Sequence, residues 1–290
     1  MVMSAAPSPP RRLFSHYARN VRRWITPVAF VTFVTIGLCG SIIAPIDPSQ
    51  ISLTERYLPP FLNKAHLLGT DHLGRDILSR VLVGASISLS VAALSIFIAS
   101  GFGVLIGLVA GFFRGLVESV LMRMADAMLA LPTIMVALLL LAILAPGFWS
   151  VVVAIMLVTW ARYARFVRGE VLSLRTREYI DAAIICGTPS IKILWRHFLP
   201  NVLNSVVVLL TLDIGRVILL ESSLAFLGLG LPPDRGAWGA SIAEGKTYLQ
   251  IAPWIALLPG LAMTITILLA NSFGNWLSDH LDPRLRASQT

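Results

Sequence analysis

Charge is scarce in this chain. Asp, Glu, Lys and Arg make up 13% of the 290 residues against 56% hydrophobic, about half the charged share that covers an ordinary soluble domain. A soluble globular protein of this length is thereby excluded. Cysteine is scarcer still: Cys39 lies in an apolar run and Cys186 in a basic segment far from it, at different depths, so no disulfide framework is available and both act as small hydrophobes. Acidic residues are outnumbered 15 to 23, leaving a net charge of +8. In a soluble domain that excess would point to nucleic acid, but here the basic residues flank apolar runs, the pattern of cytoplasmic loops, and no nucleic-acid partner is expected.

Catalytic patterns are missing too. The nearest approach to a phosphate loop is Gly245-Lys246-Thr247, but the position that needs the first glycine holds Ala240, and no strand precedes it. No Ser-His-Asp, Cys-His or paired-carboxylate arrangement is recognisable, so no catalytic residue is expected. His66 and His72 stand beside acids without a convergent ligand set, and are read as cap-forming or solvated side chains rather than a metal site.

What the chain has in abundance is apolar runs of the roughly 20 residues needed to cross a bilayer about 30 Å thick. The first, 25–46, follows a tail carrying Arg11, Arg12, Arg19, Arg22 and Arg23, and no small-residue cleavage site follows it, so it is expected as a retained span. Residues 47–80 turn polar. A second span, 81–113, places Ala99, Gly103, Gly107 and Gly111 on one face, a seam for close helix packing. The third, 116–145, is expected to kink at Leu131-Pro132. The fourth starts at Phe148 and emerges through Arg162, Arg165 and Arg168; the fifth covers 202–227 and the sixth 254–277. The expected fold is all-α with six spans, and Trp149, Trp160 and Trp254 are expected as interfacial anchors.

Lys and Arg support this topology. Sixteen fall on the proposed inner side: five in the tail, Arg114, Arg123, seven from Arg162 to Arg196, Arg284 and Arg286. Six fall outside: Arg56, Lys64, Arg75, Arg80, Arg235 and Lys246. Arg216 lies within a span. Both termini are therefore expected inside.

One basic stretch, 175–200, reads as two short helices meeting at a turn. Gly187 supplies the left-handed residue that closes the first helix, Thr188 caps the second, Pro189 takes its first position, and Leu199-Pro200 ends it. Inside the spans, an ionised group at bilayer depth costs at least about 2.5 to 3.5 kcal/mol unless it meets water or a partner. Asp213 and Arg216, three apart, are neighbours on one helical face and suit an internal ion pair, with the lining of a hydrated pathway as the competing reading that also takes in Glu221. Arg123 and Asp126 repeat the three-residue spacing. In the outer loop Asp71, Arg75, Asp76 and Arg80 suit a charge network that fastens the loop to the next helix.

These strings carry a resemblance. Asp181-Ala182-Ala183, then Gly187, then Leu199-Pro200 resembles the EAA loop of ATP-binding-cassette importer permeases, with Asp181 where Glu is usual and His197 where Ile is usual. The run from Leu68 to Arg80, continued from Gly84 to Leu89 with Ser86 in place of the usual Arg, resembles the entry of the C-type subunit of dipeptide and oligopeptide importers. The string from Glu221 to Gly239 and the ending from Asp279 to Arg284 match the same family. The resemblance implies an inner-membrane permease of a bacterial binding-protein-dependent importer. It would pair with a homologous B-type permease, two cytoplasmic ATPases that bind ATP and Mg, and a periplasmic or extracellular solute-binding protein. It assigns ATPase coupling to Glu178, Asp181, Ala182, Ala183, Gly187, Leu199 and Pro200. Relatives of this type handle peptides, nickel complexes, glutathione and sugar-derived solutes. The chain then divides into a cytoplasmic tail (1–24), the first span with its periplasmic loop (25–80), a permease core (81–279) holding the cytoplasmic coupling loop (168–200), and a cytoplasmic tail (280–290). Two other classes stay open on the residues alone: an ion-gradient-driven secondary transporter using Asp213 or Glu221, and a membrane scaffold without transport.

Overall fold

A computed structural model of the chain describes residues 11–232 and 236–281, with side chains from residue 24 onward. The side chains of the tail arginines, the position of Arg235 and the closing residues from 282 lie outside the described residues. Every extended element described is a helix. Helix α1 (Arg11–Leu38) ends near Gly37, Cys39 and Gly40, and a single further turn, α2 (Gly40–Ile43), follows. The expected first span, 25–46, is thus interrupted. The reason is packing: a Cβ at Gly40 would lie 1.9 Å from the carbonyl oxygen of Leu82, so the chain crosses the next helix backbone-to-backbone there.

Helix α3 (Ile77–Phe113) begins at Ile77 rather than 81, because the Asp76 side chain accepts the Ser79 N–H and caps the helix. Its 37 residues reach about 55 Å, well beyond the bilayer core. The expected kink at Leu131-Pro132 is a break: α4 (Gly115–Ala130) and α5 (Thr133–Ile143) meet at 92°. Pro132 has no N–H to continue the ladder, and it drives Leu131 into extended geometry at φ −83, ψ 142. Helix α6 (Phe148–Arg175) leads to an elbow of α7 (Glu178–Ile185) and α8 (Ser190–Ile193). A π turn over Leu194–Phe198 then joins α9 (Leu199–Phe226), and α10 (Trp238–Gly245) and α11 (Trp254–Leu281) complete the order.

By length and composition α3, α6, the segment Ser190–Phe226 and α11 each suffice to cross a membrane, and α4 with α5 counts as a fifth only if the pair, bent by 92°, is one span. The sixth expected span rests on α1, whose described apolar part, Trp24–Leu38, is shorter. Large apolar side chains such as Phe97, Leu139 and Leu268 stay 61–75% exposed, which suits a hydrocarbon solvent.

The bundle is built on α3 against α6. Along the small-residue seam, a Cβ at Gly103 would sit 2.5 Å from Tyr163 Cβ, and one at Gly107 2.6 Å from the Ala164 carbonyl. Trp160 belongs to this core, 7% exposed and edge-on to Phe102 at 5.5 Å, so it is not an interfacial anchor. Helix α11 packs along α1, with Phe30 stacked on Phe273 at 4.6 Å and Trp24 meeting Trp276 at 5.4 Å. The basic end of α1 and the end of α11 therefore share one side. The elbow lies on that side too, bonded to the end of α3 through Arg175 Nη1 and the Phe112 carbonyl. At the opposite end, residues 44–76 pack on α10 and the start of α11.

Candidate functional site

Three places concentrate polar or unpartnered groups, and the first is the elbow. Gly187 adopts φ +71, where Cβ would be disfavoured. Its N–H donates to Ile184 O at 2.9 Å while Thr188 N–H reaches back to Ala183 O at 3.1 Å, the paired bonds of a Schellman stop. The second helix starts one place later than expected: the Pro189 carbonyl accepts from Lys192 and Ile193, and no side-chain cap from Thr188 is present. Leu199-Pro200 does not end this helix. Pro200 sits in the first turn of α9, and the π turn before it supplies a wider register, Leu199 N–H bonding Leu194 O, that carries the chain past the missing proline N–H.

The elbow has two faces. Ile180, Ile193, Leu194 and Phe198 are buried with Val104, Leu108, Val167 and Val171, which seats it on the ends of α3 and α6. Ala183 and Leu199 pack partly into the same cluster, whereas Ala182 is exposed. The other face is apolar and bare: Ile185 is 84% exposed, Ile191 64% and Trp195 56%. Glu178 and Asp181 lie in the first turn of α7, where acidic side chains favour the helix dipole.

The second place is midway along α6 and α9. Asp213, 1% exposed, accepts from Arg162 Nη1 of α6 at 2.6 Å, with Arg216 further away at 3.8 Å. The expected pair with Arg216 is thus the weaker side of a triad. Sequence spacing finds neighbours within one helix and is blind to the cross-helix partner that is closer. Likewise Asp126 meets Arg165 at 3.3 Å in place of Arg123, and Glu118 meets Arg168 at 2.6 Å. Glu221 is fully buried near the far end of α9, accepting from Ser88 and Ser222 at 3.4 Å each, with its Oε1 unpartnered. It therefore does not line an open pathway in this conformation. Removing the Asp213 charge alone would leave the guanidiniums of Arg162 and Arg216 without their buried counter-charge. We expect Asp213→Asn to cut the membrane yield of the assembled complex severalfold and the double change with Arg162→Gln to recover most of it. Recovery through Arg216→Gln instead would reverse the ranking of the two partners.

The third place is the opposite end of the bundle. Asp71, fully buried, accepts from Arg75 Nε at 2.6 Å and Arg80 Nη1 at 3.2 Å, and both guanidiniums continue to Glu244 at 2.5 and 2.7 Å. Asp76 stands apart from this cage: it caps α3 and bonds His66 Nδ1 at 3.0 Å, while His66 Nε2 reaches Glu55 at 3.3 Å. Glu244 was not singled out from the sequence, although it is the only acid between 236 and 278 and so the natural counter-charge for outer arginines. Asp71, His72 and Glu244 bring ligand atoms within 4.8 Å of one another. Arg75 and Arg80 already fill the carboxylates, and their charge stands where a cation would have to sit. The Trp254 indole N–H donates to Thr70 O at 3.1 Å and Tyr57 packs on Tyr248, so the loop is fastened to α10 and α11 as well as to α3.

A model of the family described as "Binding-protein-dependent transport system inner membrane component" matches residues 103–287. The dipeptide transport system permease protein of Haemophilus influenzae is 32% identical over 289 residues, covering 98% of each chain. The glutathione transport system permease protein of Pectobacterium atrosepticum is 40% identical, covering 88% of this chain and 84% of the relative. The nickel transport system permease protein of Escherichia coli K12 is 36% identical, covering 91% and 95%. With a matching span well over half its length and relatives aligned almost end to end, the chain belongs to the binding-protein-dependent transport system inner membrane component family and is an all-α, multi-pass permease of an ATP-binding-cassette importer.

Proposed function

We propose that this chain is the C-type permease of an importer that moves peptides or similarly small solutes into the cytoplasm. It works with a homologous B-type permease, two ATPases on the elbow side and a solute-binding protein at the loop end. The observation that carries the reading is the elbow: a rigid two-helix unit seated on α3 and α6, presenting bare Ile185, Ile191 and Trp195. A surface of that kind needs a protein partner, and a partner gripping it moves two long spans at once. ATP and Mg are held by the ATPases, and this chain needs no cofactor of its own. The elbow side is the cytoplasmic face of a bacterial inner membrane, with both termini on it. The peptide reading draws on the dipeptide relative, while the glutathione and nickel relatives keep the solute class wide.

An ion-gradient-driven carrier finds less support. Glu221 is sealed in the bundle and buried Asp213 is ion-paired with an arginine, so neither is an exposed acid open to a passing proton or cation.

Two measurements test the proposal. The chain should co-purify with the other permease and the ATPases, and the reconstituted complex should take up solute only with ATP and the binding protein; ATP-independent, gradient-driven uptake would overturn it. A single cysteine at Lys64 or Lys246 should react with an impermeant thiol reagent in intact cells, whereas one at Arg175 should not. Labelling at 175 would reverse the sidedness.

A further inference from the structure

Between the elbow and the loop-end cage runs a stripe of arginines. Arg162, Arg165 and Arg168 lie three residues apart on α6, each rung about 4.5 Å further along the helix. Arg162 is at the middle of α6 and Arg168 toward its elbow end. Each meets a carboxylate of a neighbouring helix: Asp213 of α9, then Asp126 and Glu118 of α4. Two more arginines flank them: Arg216 beside Asp213, and Arg123 in a cavity of about 550 Å³ that it lines with Glu118, Asp126 and Arg168. Five guanidiniums thus face three carboxylates.

The stripe is open and incomplete. Side-chain exposure is 39% for Arg162 and Arg216 and 60% for Arg165. At the Arg162 rung, Arg216 Nη1 is buried and has no hydrogen-bond partner, and the fully buried Tyr163 hydroxyl faces the Asp213 carboxylate. Exposed guanidiniums at the inner end of the spans cannot face lipid hydrocarbon, and the unpartnered Arg216 Nη1 is open to a further anionic ligand.

We propose that this stripe lines the inner half of the solute path and passes the carboxylate of the solute from Arg162 and Arg216 to Arg165, and then to Arg168 and Arg123. The inference rests on the reading of the chain as the solute-conducting permease, and it narrows the solutes to those bearing a free carboxylate. Guanidinium and carboxylate match as bidentate partners. Because each rung already holds a protein carboxylate, a solute carboxylate exchanges at a rung rather than being trapped there, the weak multi-site binding that conduction requires.

The test uses the full importer, both permeases with ATPases and binding protein, in proteoliposomes. In a background with Cys39→Ser and Cys186→Ser, Arg165→Cys should react with a neutral methanethiosulfonate reagent. Millimolar alanyl-alanine should slow that reaction at least threefold, and its carboxamide should not. Arg123→Gln and Arg165→Gln should each lower uptake at least tenfold while binding-protein-stimulated ATP hydrolysis stays within twofold of the parent, and Arg165→Lys should keep most of the uptake. Equal protection by acid and amide, or parental uptake in both Gln variants, overturns the stripe's role in a complex that still transports. An unreactive Arg165→Cys together with loss of the second permease from Arg165→Gln preparations makes the stripe a subunit contact and also overturns it. A parent complex without ATP-driven uptake of dipeptide, glutathione or nickel chelate would instead remove the permease reading, and the stripe's role with it.

Discussion

We expect Gly187→Val to lower ATP-driven uptake more than tenfold while leaving the chain in the membrane. Residue 187 sits at φ +71 with both Schellman bonds made around it. No atom lies within 4 Å of where a Cβ would be, so the cost of valine is conformational rather than steric. A left-handed β-branched residue carries a penalty of roughly 1–2 kcal/mol or more, which the last turn of α7 can escape by giving up its two capping bonds. That releases the angle between α7 and α8, and with it the bare face formed jointly by Ile185 and Ile191. The spans themselves are untouched. A second variant separates angle from surface: Ala182→Arg places a long charged side chain on the exposed side of α7, whereas Ala183→Arg would strike the elbow's own core. Both Gly187→Val and Ala182→Arg should lower uptake more than tenfold, with ATPase subunits lost on purification or hydrolysis no longer stimulated by loaded binding protein. Parental uptake and stimulation in both variants would mean that the elbow is not the coupling element.

The elbow was legible because its signals are local. A glycine stop, a proline start and a lack of long apolar runs are all properties of neighbouring residues. The same holds for the α3 seam, where a four-residue glycine spacing implies a close partner, although nothing in the spacing names α6. What the sequence hid is long-range. Arg162 and Asp213 are 51 positions apart, and Arg80 and Glu244 are 164 apart. No periodicity links such pairs, so a neighbour three residues away on the same helix looks like the nearest partner when a residue of another helix stands closer. The break at Leu131-Pro132 shows a different limit: proline announces an interruption, but whether the helix kinks or turns through 92° depends on what packs on each half. Here α4 lies along α6, with Glu118 paired to Arg168 and Asp126 to Arg165. The end of α1 at Leu38 is likewise set by a tertiary contact, the passage of Gly40 over Leu82.

Loss of the Asp71 carboxylate should be the most damaging single change at the loop end. Asp71 accepts from its own loop through the N–H groups of Leu73 and Arg75 at 2.8 and 2.9 Å, and from Arg75 and Arg80 through the other oxygen. It thus both shapes the turn and neutralises one of two buried guanidiniums. In Asp71→Ala, Arg75 and Arg80 would share the single carboxylate of Glu244, and removing one member of a buried ion-pair cage typically costs about 3–5 kcal/mol. Glu244 is the less buried acid, with a side-chain exposure of 15% against 0% for Asp71. Glu244→Gln should therefore cost less, since it keeps its shape and water can reach the arginines. Because the cage is mostly shielded from solvent, raising salt from low to physiological strength should change little. The measurement is thermal unfolding of the purified complex together with the rate of limited proteolysis within 44–76. Asp71→Ala should unfold at the lowest temperature and be cut fastest, Glu244→Gln should fall between it and the parent, and Asp71→Asn, which can still accept one of the turn's N–H bonds, should be milder than Asp71→Ala. Identical unfolding and cleavage for Asp71→Ala and the parent would show that the cage contributes nothing to holding the loop.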